Sequence, residues 1–305
     1  MKFVTAIHHA ALRVADLDEA VKRWSRILGL HGECFDDYAL LRCTHEDFCL
    51  VLRQSSEKPG IEYVAYELMP GLTLVEAKAE LTKRDVKVQE VVVPVRGKGL
   101  RLQDPDGNAL VLLERRLPED PRPAEMIFSE VVPGFHPRKF GHVNYLTTHV
   151  KRAEQWYVEK LGFAVTDWIG DEGLWLHVNA THHTTAFLEK GINRIHHIAF
   201  ELVDWGELRV ALDHLAKNNR NIVWGPGRHG MARNIFSYFR MIEEDLFIEL
   251  YCDMQQLELD HQPVRHPDTP RSSNTWGVLP PRTYFRFDEE AIHLEQEQAY
   301  AYAVP

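Results

Sequence analysis

Long apolar runs are missing from this chain, and nothing in it approaches the roughly 20 consecutive apolar residues that a membrane-spanning helix needs. Basic clusters are missing too. With 45 acidic against 35 basic side chains, the net charge of −10 leaves no stripe of Lys and Arg to meet phosphates, which argues against a nucleic-acid partner. Cysteine is scarce: the four residues Cys34, Cys43, Cys49 and Cys252 form no CxxC pair, so buried free thiols are expected in place of disulfides or a thiolate zinc site. The start, Met1-Lys2-Phe3-Val4-Thr5-Ala6, lacks the charged, apolar and small-residue succession of a secretory leader, and the expectation is a soluble, cytoplasmic protein. The rest is ordinary for a globular chain: 305 residues, 45% hydrophobic and 26% charged, leave room for two domains, each with its own core.

The chain repeats itself. Ile7-His8-His9-Ala10 followed by the helix-like stretch Asp18 to Leu30 matches Phe140-Gly141-His142-Val143 followed by Val150 to Phe163, and both stretches end in Leu-Gly-apolar stops. Asp16 or Asp18 can cap the first helix, Ala20, Val21, Trp24, Ile27 and Leu28 give its 3.6-residue apolar stripe, and Gly29 stops it. Its copy has Trp156, Tyr157 and Leu161 before Gly162. A second match sets Ile61 to Leu68 against Ile195 to Leu202, and a third sets the segment from Asp104 to Val111 against the strand ending Leu246-Phe247-Ile248-Glu249. Short apolar runs such as Ala39 to Leu41, Phe48 to Leu52, Trp175 to Val178 and Thr185 to Leu188 read as strands, and Asp104-Pro105-Asp106-Gly107 as a tight turn. Each unit reads as a strand, a helix and then more strands, and the expected fold class is α+β in two domains. The Pro-rich stretch from Leu117 to Pro137 suits the connection, giving domains at 1–120 and 138–255 and an appended arm at 256–305 that either covers the site or contacts another subunit.

In this alignment His9 falls on His142, Tyr63 on His197 and Val111 on Glu249. Only the second triple offers two imidazoles and a carboxylate, the donor set of a ferrous site with positions left open. Because side chains alternate along a strand, one ligand from each of three strands can point into the same cup. Any one of the three alone is more often an ordinary buried polar residue; three at equivalent places in a repeat are a candidate metal site.

The motifs Ile195-His196-His197-Ile198-Ala199-Phe200 and Gly225-Pro226-Gly227-Arg228-His229-Gly230 resemble those of the type I extradiol ring-cleavage dioxygenases of the vicinal oxygen chelate superfamily, in particular the homoprotocatechuate and catechol 2,3-dioxygenase branch. The resemblance implies that His142, His197 and Glu249 hold Fe(II), with Mn(II) as the alternative ion, and that a catechol and dioxygen are the small-molecule partners. It also implies an acid/base role for His183, with His182 as its rival if the alignment slips by one. Tyr238 and His229 would hydrogen-bond the reacting oxygens, and Asn144 and Trp175 would line the pocket. The resemblance further implies tandem βαβββ modules paired into two domains of incomplete β-barrels, and a homo-oligomer, commonly a tetramer.

Two departures qualify the resemblance. Trp224 stands where the branch has a carboxylate-binding arginine, which favours an uncharged ring substituent, while Arg282 in the tail would reach the pocket as the family's second arginine does. Arg240-Met241-Ile242-Glu243-Glu244-Asp245 replaces the usual turn before Glu249 and lengthens the spacing from Tyr238 by one residue, which bears on the role of Tyr238. The same scaffold also carries glyoxalase-like lyases or isomerases and metal-free binding modules, and these are the competing expectations.

Overall fold

The computed structural model describes residues 2–116 and 134–302, so most of the Pro-rich connection expected between Leu117 and Pro137 lies outside the described residues. Four βαβββ modules follow one another. The first is β1 (Val4–Val14), α1 (Leu17–Leu28), β2 (His31–Cys34), β3 (Tyr38–Arg42) and β4 (Leu50–Gln54). The second is β5 (Gly60–Leu68), α2 (Leu74–Lys83), β6 (Gln89–Val93), β7 (Gly97–Gln103) and β8 (Ala109–Leu113). The third is β9 (Lys139–Thr147), α3 (Val150–Trp156), β10 (Ala164–Ile169), β11 (Gly173–His177) and β12 (Thr185–Glu189). The fourth is β13 (Arg194–Glu201), α4 (Trp205–Lys217), β14 (Ile222–Arg228), β15 (Ile235–Met241) and β16 (Leu246–Cys252).

The modules pair into two open, curved sheets. One runs β2-β3-β4-β1-β5-β8-β7-β6; the other runs β14-β15-β16-β13-β9-β12-β11-β10, with β17 (Val264–His266) added beside β10. Read from opposite ends the two orders are the same, so the duplication seen in sequence is a duplication of topology.

Local chemistry explains the helices. The Asp16 carboxylate accepts from the Glu19 N–H at 3.0 Å and starts α1; Ala20, Trp24, Ile27 and Leu28 turn inward. Gly29 ends it at φ 65°, where its N–H reaches the Ser25 carbonyl and a Cβ would sit 1.9 Å from the Phe135 carbonyl oxygen. Thr73 and Glu76 close a capping box at α2. The expected second copy of α1 loosens after Trp156 into a wider π-type turn, Tyr157–Leu161, before Gly162 at φ 73°. Asp104 makes the expected turn by accepting the N–H groups of Asp106 and Asn108, each at 2.9 Å.

A continuous apolar core joins the halves, from Phe3 and Tyr66 on one side to Tyr145 and Phe187 on the other. Two buried polar contacts cross the seam: the hydroxyls of Tyr66 and Thr185 are 2.7 Å apart, and Tyr157 donates to Asp104 at 3.2 Å. Cys43, Cys49 and Cys252 are buried free thiols as expected, while Cys34, at the end of β2, is exposed. No helix among the described residues is long and apolar enough to cross a membrane.

Candidate metal centre

Register alone brings the three ligands together. Ala199 on β13 pairs with His142 on β9 to one side and with Glu249 on β16 to the other, so all three side chains leave the same face. His197, two residues before Ala199, shares that face, and the small Ala199 leaves the space between the larger side chains open. His142 Nε2 and His197 Nε2 lie 2.9 and 3.2 Å from the same carboxylate oxygen, Glu249 Oε2. Among the described residues this is the one cluster of three donors able to hold a metal ion, and all three members are buried.

The equivalent face of the first half lacks this donor set. His9 pairs with Ala65, and Ala65 with Val111, in the same register, but Tyr63 and Val111 replace the second histidine and the carboxylate. His9 Nε2 is 3.2 Å from the Tyr63 hydroxyl, and Phe48, Leu40, Val51 and Val111 fill the cup.

A cavity of about 210 Å³ opens above the triad. His183, Asn144, Trp175, Trp224, His229 and Tyr238 all line it. Asn144 stands two residues from His142 on β9, on the same face, and its buried Oδ1 has no protein partner. The His183 ring centroid is 4.3 Å from that of His142. His182 faces away from the cavity: its Nε2 lies 3.1 Å from Asp167 Oδ2, and its Nδ1 lies 3.0 Å from His183 Nδ1. The extra residue before Glu249 does not shift Tyr238, because the 3₁₀ turn Ile242–Glu244 and Asp245 at φ 51° absorb it, leaving Tyr238 directly across from Glu249. His229 Nε2 is 3.1 Å from the Tyr238 hydroxyl, and His229 Nδ1 donates to the Ser273 carbonyl at 2.7 Å.

Electrostatics suit a metal. Burial lowers the His197 pKa to about 4 and pushes those of His183 and His229 below the usual histidine range, leaving neutral imidazoles. Burial also disfavours the Glu249 carboxylate, but the adjacent His142 and His197 outweigh it and hold its pKa well below the ordinary carboxylate range. Glu249 is thus a buried anion with the neutral imidazole of His197 beside it, and a divalent cation would supply the positive charge that balances it. Separations of 2.9 and 3.2 Å also match neighbouring ligands at right angles about an ion, roughly 3 Å for legs of about 2.1 Å.

The sequence left open whether the arm covers the site or contacts another subunit, and it did not show which cation lines the cavity. The arm after Asp253 forms one wall of the cavity: Ser272 and Ser273 of α5 (Pro270–Ser273), then Pro280, Tyr284 and Phe285. His196 Nε2 donates to the Tyr284 carbonyl at 2.7 Å, and Arg240 pairs with the buried Glu295 of α6 (Glu289–Tyr302) at 2.6 Å, tying the arm down. Arg282, expected near the substrate, is instead exposed and outside the cavity lining, because the turn it begins points Tyr284 inward. The cation that does line the cavity is Lys190, paired with Glu172 at 2.8 Å. A run of charged residues around Asp171 and Glu172 carries no periodic signal that would have singled it out.

The family model described as Glyoxalase/Bleomycin resistance protein/Dioxygenase superfamily matches residues 6–112 and 139–245. A metapyrocatechase of Pseudomonas sp. (strain CF600) is 26% identical over 275 residues, covering 84% of this chain and 88% of that protein. Among solved structures, a variant of homoprotocatechuate 2,3-dioxygenase from B. fuscum superposes with a TM-score of 0.82 at 22% identity, covering 92% of this chain and 81% of the other. The Mn(II)-bound glyoxalase from Novosphingobium aromaticivorans superposes at 0.78 with 23% identity and 92% coverage of both chains.

Proposed function

This chain belongs to the Glyoxalase/Bleomycin resistance protein/Dioxygenase superfamily, and from that footing we propose that it is an extradiol dioxygenase, opening the ring of a catechol beside its two hydroxyls with both atoms of dioxygen. The carrying observation is a buried His142, His197 and Glu249 triple at the floor of a cavity that His183 also lines. Fe(II), with Mn(II) as the alternative, would be held by these three residues; when bound it supplies a Lewis acid and a path for electrons between catechol and dioxygen. The relative named metapyrocatechase supports the reaction class.

The remaining chemistry belongs to side chains. A carboxylate only accepts, so Asp167 fixes the proton of His182 on Nε2 and leaves its Nδ1 an acceptor. His183 then donates from Nδ1 to His182, and its bare Nε2 is left to take a hydroxyl proton from the substrate and return it later. His229 gives its Nδ1 proton to the Ser273 carbonyl, so its Nε2 takes the Tyr238 hydroxyl proton, and the Tyr238 oxygen is left to accept a hydrogen bond from a hydroxyl of the substrate. Asn144 and Trp175 position the ring. Trp224 lies parallel to the Tyr238 ring at 5.3 Å and spends its indole N–H on the Val278 carbonyl, so it presents only an apolar face. A ring substituent lying there should be uncharged, and the arm closes the cavity against water.

The domains proposed from sequence, 1–120, 138–255 and 256–305, are compatible with the two sheets and the arm that follows them. Self-association, as a tetramer, has a candidate face in Trp205 and Trp276, exposed rings 6.5 Å apart; light scattering on the purified protein tests it. A cytoplasmic location completes the proposal.

A glyoxalase-like lyase or isomerase is the competing enzyme, and a metal-free binding module the competing non-enzyme. The donor cluster of two histidines and one glutamate, without a second glutamate, favours the dioxygenase over the lyase. Dioxygen uptake by the ferrous protein on adding catechols tests the proposal: uptake with a yellow product supports it, and metal-dependent turnover without uptake would hand the site to the lyase.

A further inference from the structure

We infer that Asn234 is a positioning residue that keeps Glu249 a one-oxygen ligand, and so keeps one coordination position free for a diatomic molecule. The inference rests on the metal-site reading above.

The two oxygens of Glu249 have different neighbours. Oε2 faces both imidazoles, at 2.9 and 3.2 Å. Oε1 faces the other way, where the Asn234 amide donates to it at 3.0 Å and His229 Nε2 stands off at 3.7 Å. A carboxylate only accepts, so the group that Asn234 turns to it is its NH₂. Asn234 is wholly buried, and its own Oδ1 has no protein partner. A buried amide left half unsatisfied costs stability, which makes a site function a better reason for its presence than packing.

The backbone holds Asn234 in place from both sides. It immediately precedes β15, after Arg233 in the left-handed region at φ 61°. Its carbonyl accepts the His229 N–H at 3.0 Å, and the Arg233 carbonyl accepts from Arg228 at 2.5 Å. The amide therefore has little freedom to follow the carboxylate if the carboxylate turns.

Counting positions gives the consequence. Two imidazoles and one carboxylate oxygen occupy three of six octahedral positions, and a chelating catechol with one diatomic molecule needs the other three. Were Glu249 to turn and bind through both oxygens, one of those three would be lost. The hydrogen bond to Oε1 makes that turn costly, because it would leave the Asn234 NH₂ buried and unpaired.

Asn234→Leu removes the donor while keeping the shape, and Asn234→Ala is the second variant; both keep the backbone bond from His229. Nitric oxide serves as the diatomic probe, because its ferrous adduct gives a distinctive electron-paramagnetic-resonance signal. Wild-type Fe(II) protein should take nitric oxide with catechol present, whereas the variants should bind it at least about tenfold more weakly under the same conditions, with metal affinity falling about 10- to 100-fold. Mn(II)-loaded samples without catechol should show a changed zero-field splitting in the variants, a readout that a packing defect far from the ion would not move. Wild-type nitric oxide affinity together with an unchanged Mn(II) spectrum in the variants would overturn the inference. A wild-type protein that binds metal but neither catechol nor nitric oxide would instead sink the dioxygenase reading, and the Mn(II) spectra would still decide the role of Asn234.

Discussion

Replacing His183 with phenylalanine separates the chemistry of this site from its architecture. The ring is buried, lies 4.3 Å from the His142 ring and lines the cavity, so phenylalanine fills nearly the same volume and leaves the triad standing. What disappears is one proton acceptor and its hydrogen bond to His182. General acid–base groups contribute about a hundredfold to ten-thousandfold, so kcat should fall by that factor, about 2.7–5.4 kcal/mol of transition-state stabilisation. Metal content should stay near one per chain, and catechol affinity should change by only a few fold. His182→Phe is the control: it takes one donor from the Asp167 carboxylate, which keeps the Val264 N–H and His266, and should cost about 1–3 kcal/mol of stability. The assays are metal analysis, anaerobic catechol titration and steady-state dioxygen uptake on both variants. A His183→Phe protein that turns over at the wild-type rate would refute the assignment.

Three further outcomes follow from the same structure. Glu249→Ala removes the carboxylate donor and should abolish stoichiometric iron, read by elemental analysis; full iron retention would contradict the ligand set. Trp224→Arg places a cation against the cavity and should shift the kcat/KM ratio by more than about tenfold toward carboxylated over alkylated catechols; an unchanged ratio would move the specificity determinant elsewhere. Glu46 is half-buried, accepts the Phe140 N–H at 2.8 Å and has its pKa raised by burial to about 8. A carboxyl whose folded pKa lies above its unfolded value favours the folded state only when protonated, so its contribution falls as pH rises from about 4.5 to about 8. Glu46→Gln keeps the acceptor and should be more stable than wild type by roughly 1–2 kcal/mol at pH 9, but equal to it at pH 4, by thermal unfolding. Equal stability at both pH values would show that Glu46 meets more water than its surroundings imply.

What could be read beforehand followed the two periodicities of the backbone. The duplicated strands fixed which residues share a face, and so the pairing of His142, Ala199 and Glu249 was implicit in the alignment of the halves. The degenerate triple His9, Tyr63 and Val111 was legible for the same reason. Spacing along the chain misled where a turn could absorb a residue: the longer path from Tyr238 to Glu249 vanishes into a 3₁₀ turn, and the two residues end as cross-strand partners. Packing of the arm was beyond reach, because Tyr284 meets His196 across 88 positions of sequence and no local pattern marks that contact. For the same reason Arg282 looked plausible and lies outside, while Lys190 went unnoticed and lies inside. Asn234 drew no attention because a lone asparagine before a strand reads as turn chemistry, and its buried aim at Glu249 appears only in three dimensions.

The central claim is met most directly by purifying the protein without air, measuring its metal, and then admitting dioxygen with a panel of catechols while following uptake and visible absorbance. The account predicts about one Fe(II) or Mn(II) per chain, one dioxygen consumed per catechol, and a yellow ring-opened product. A protein that holds no metal and consumes no dioxygen after ferrous reconstitution would contradict it and leave a binding module on this scaffold.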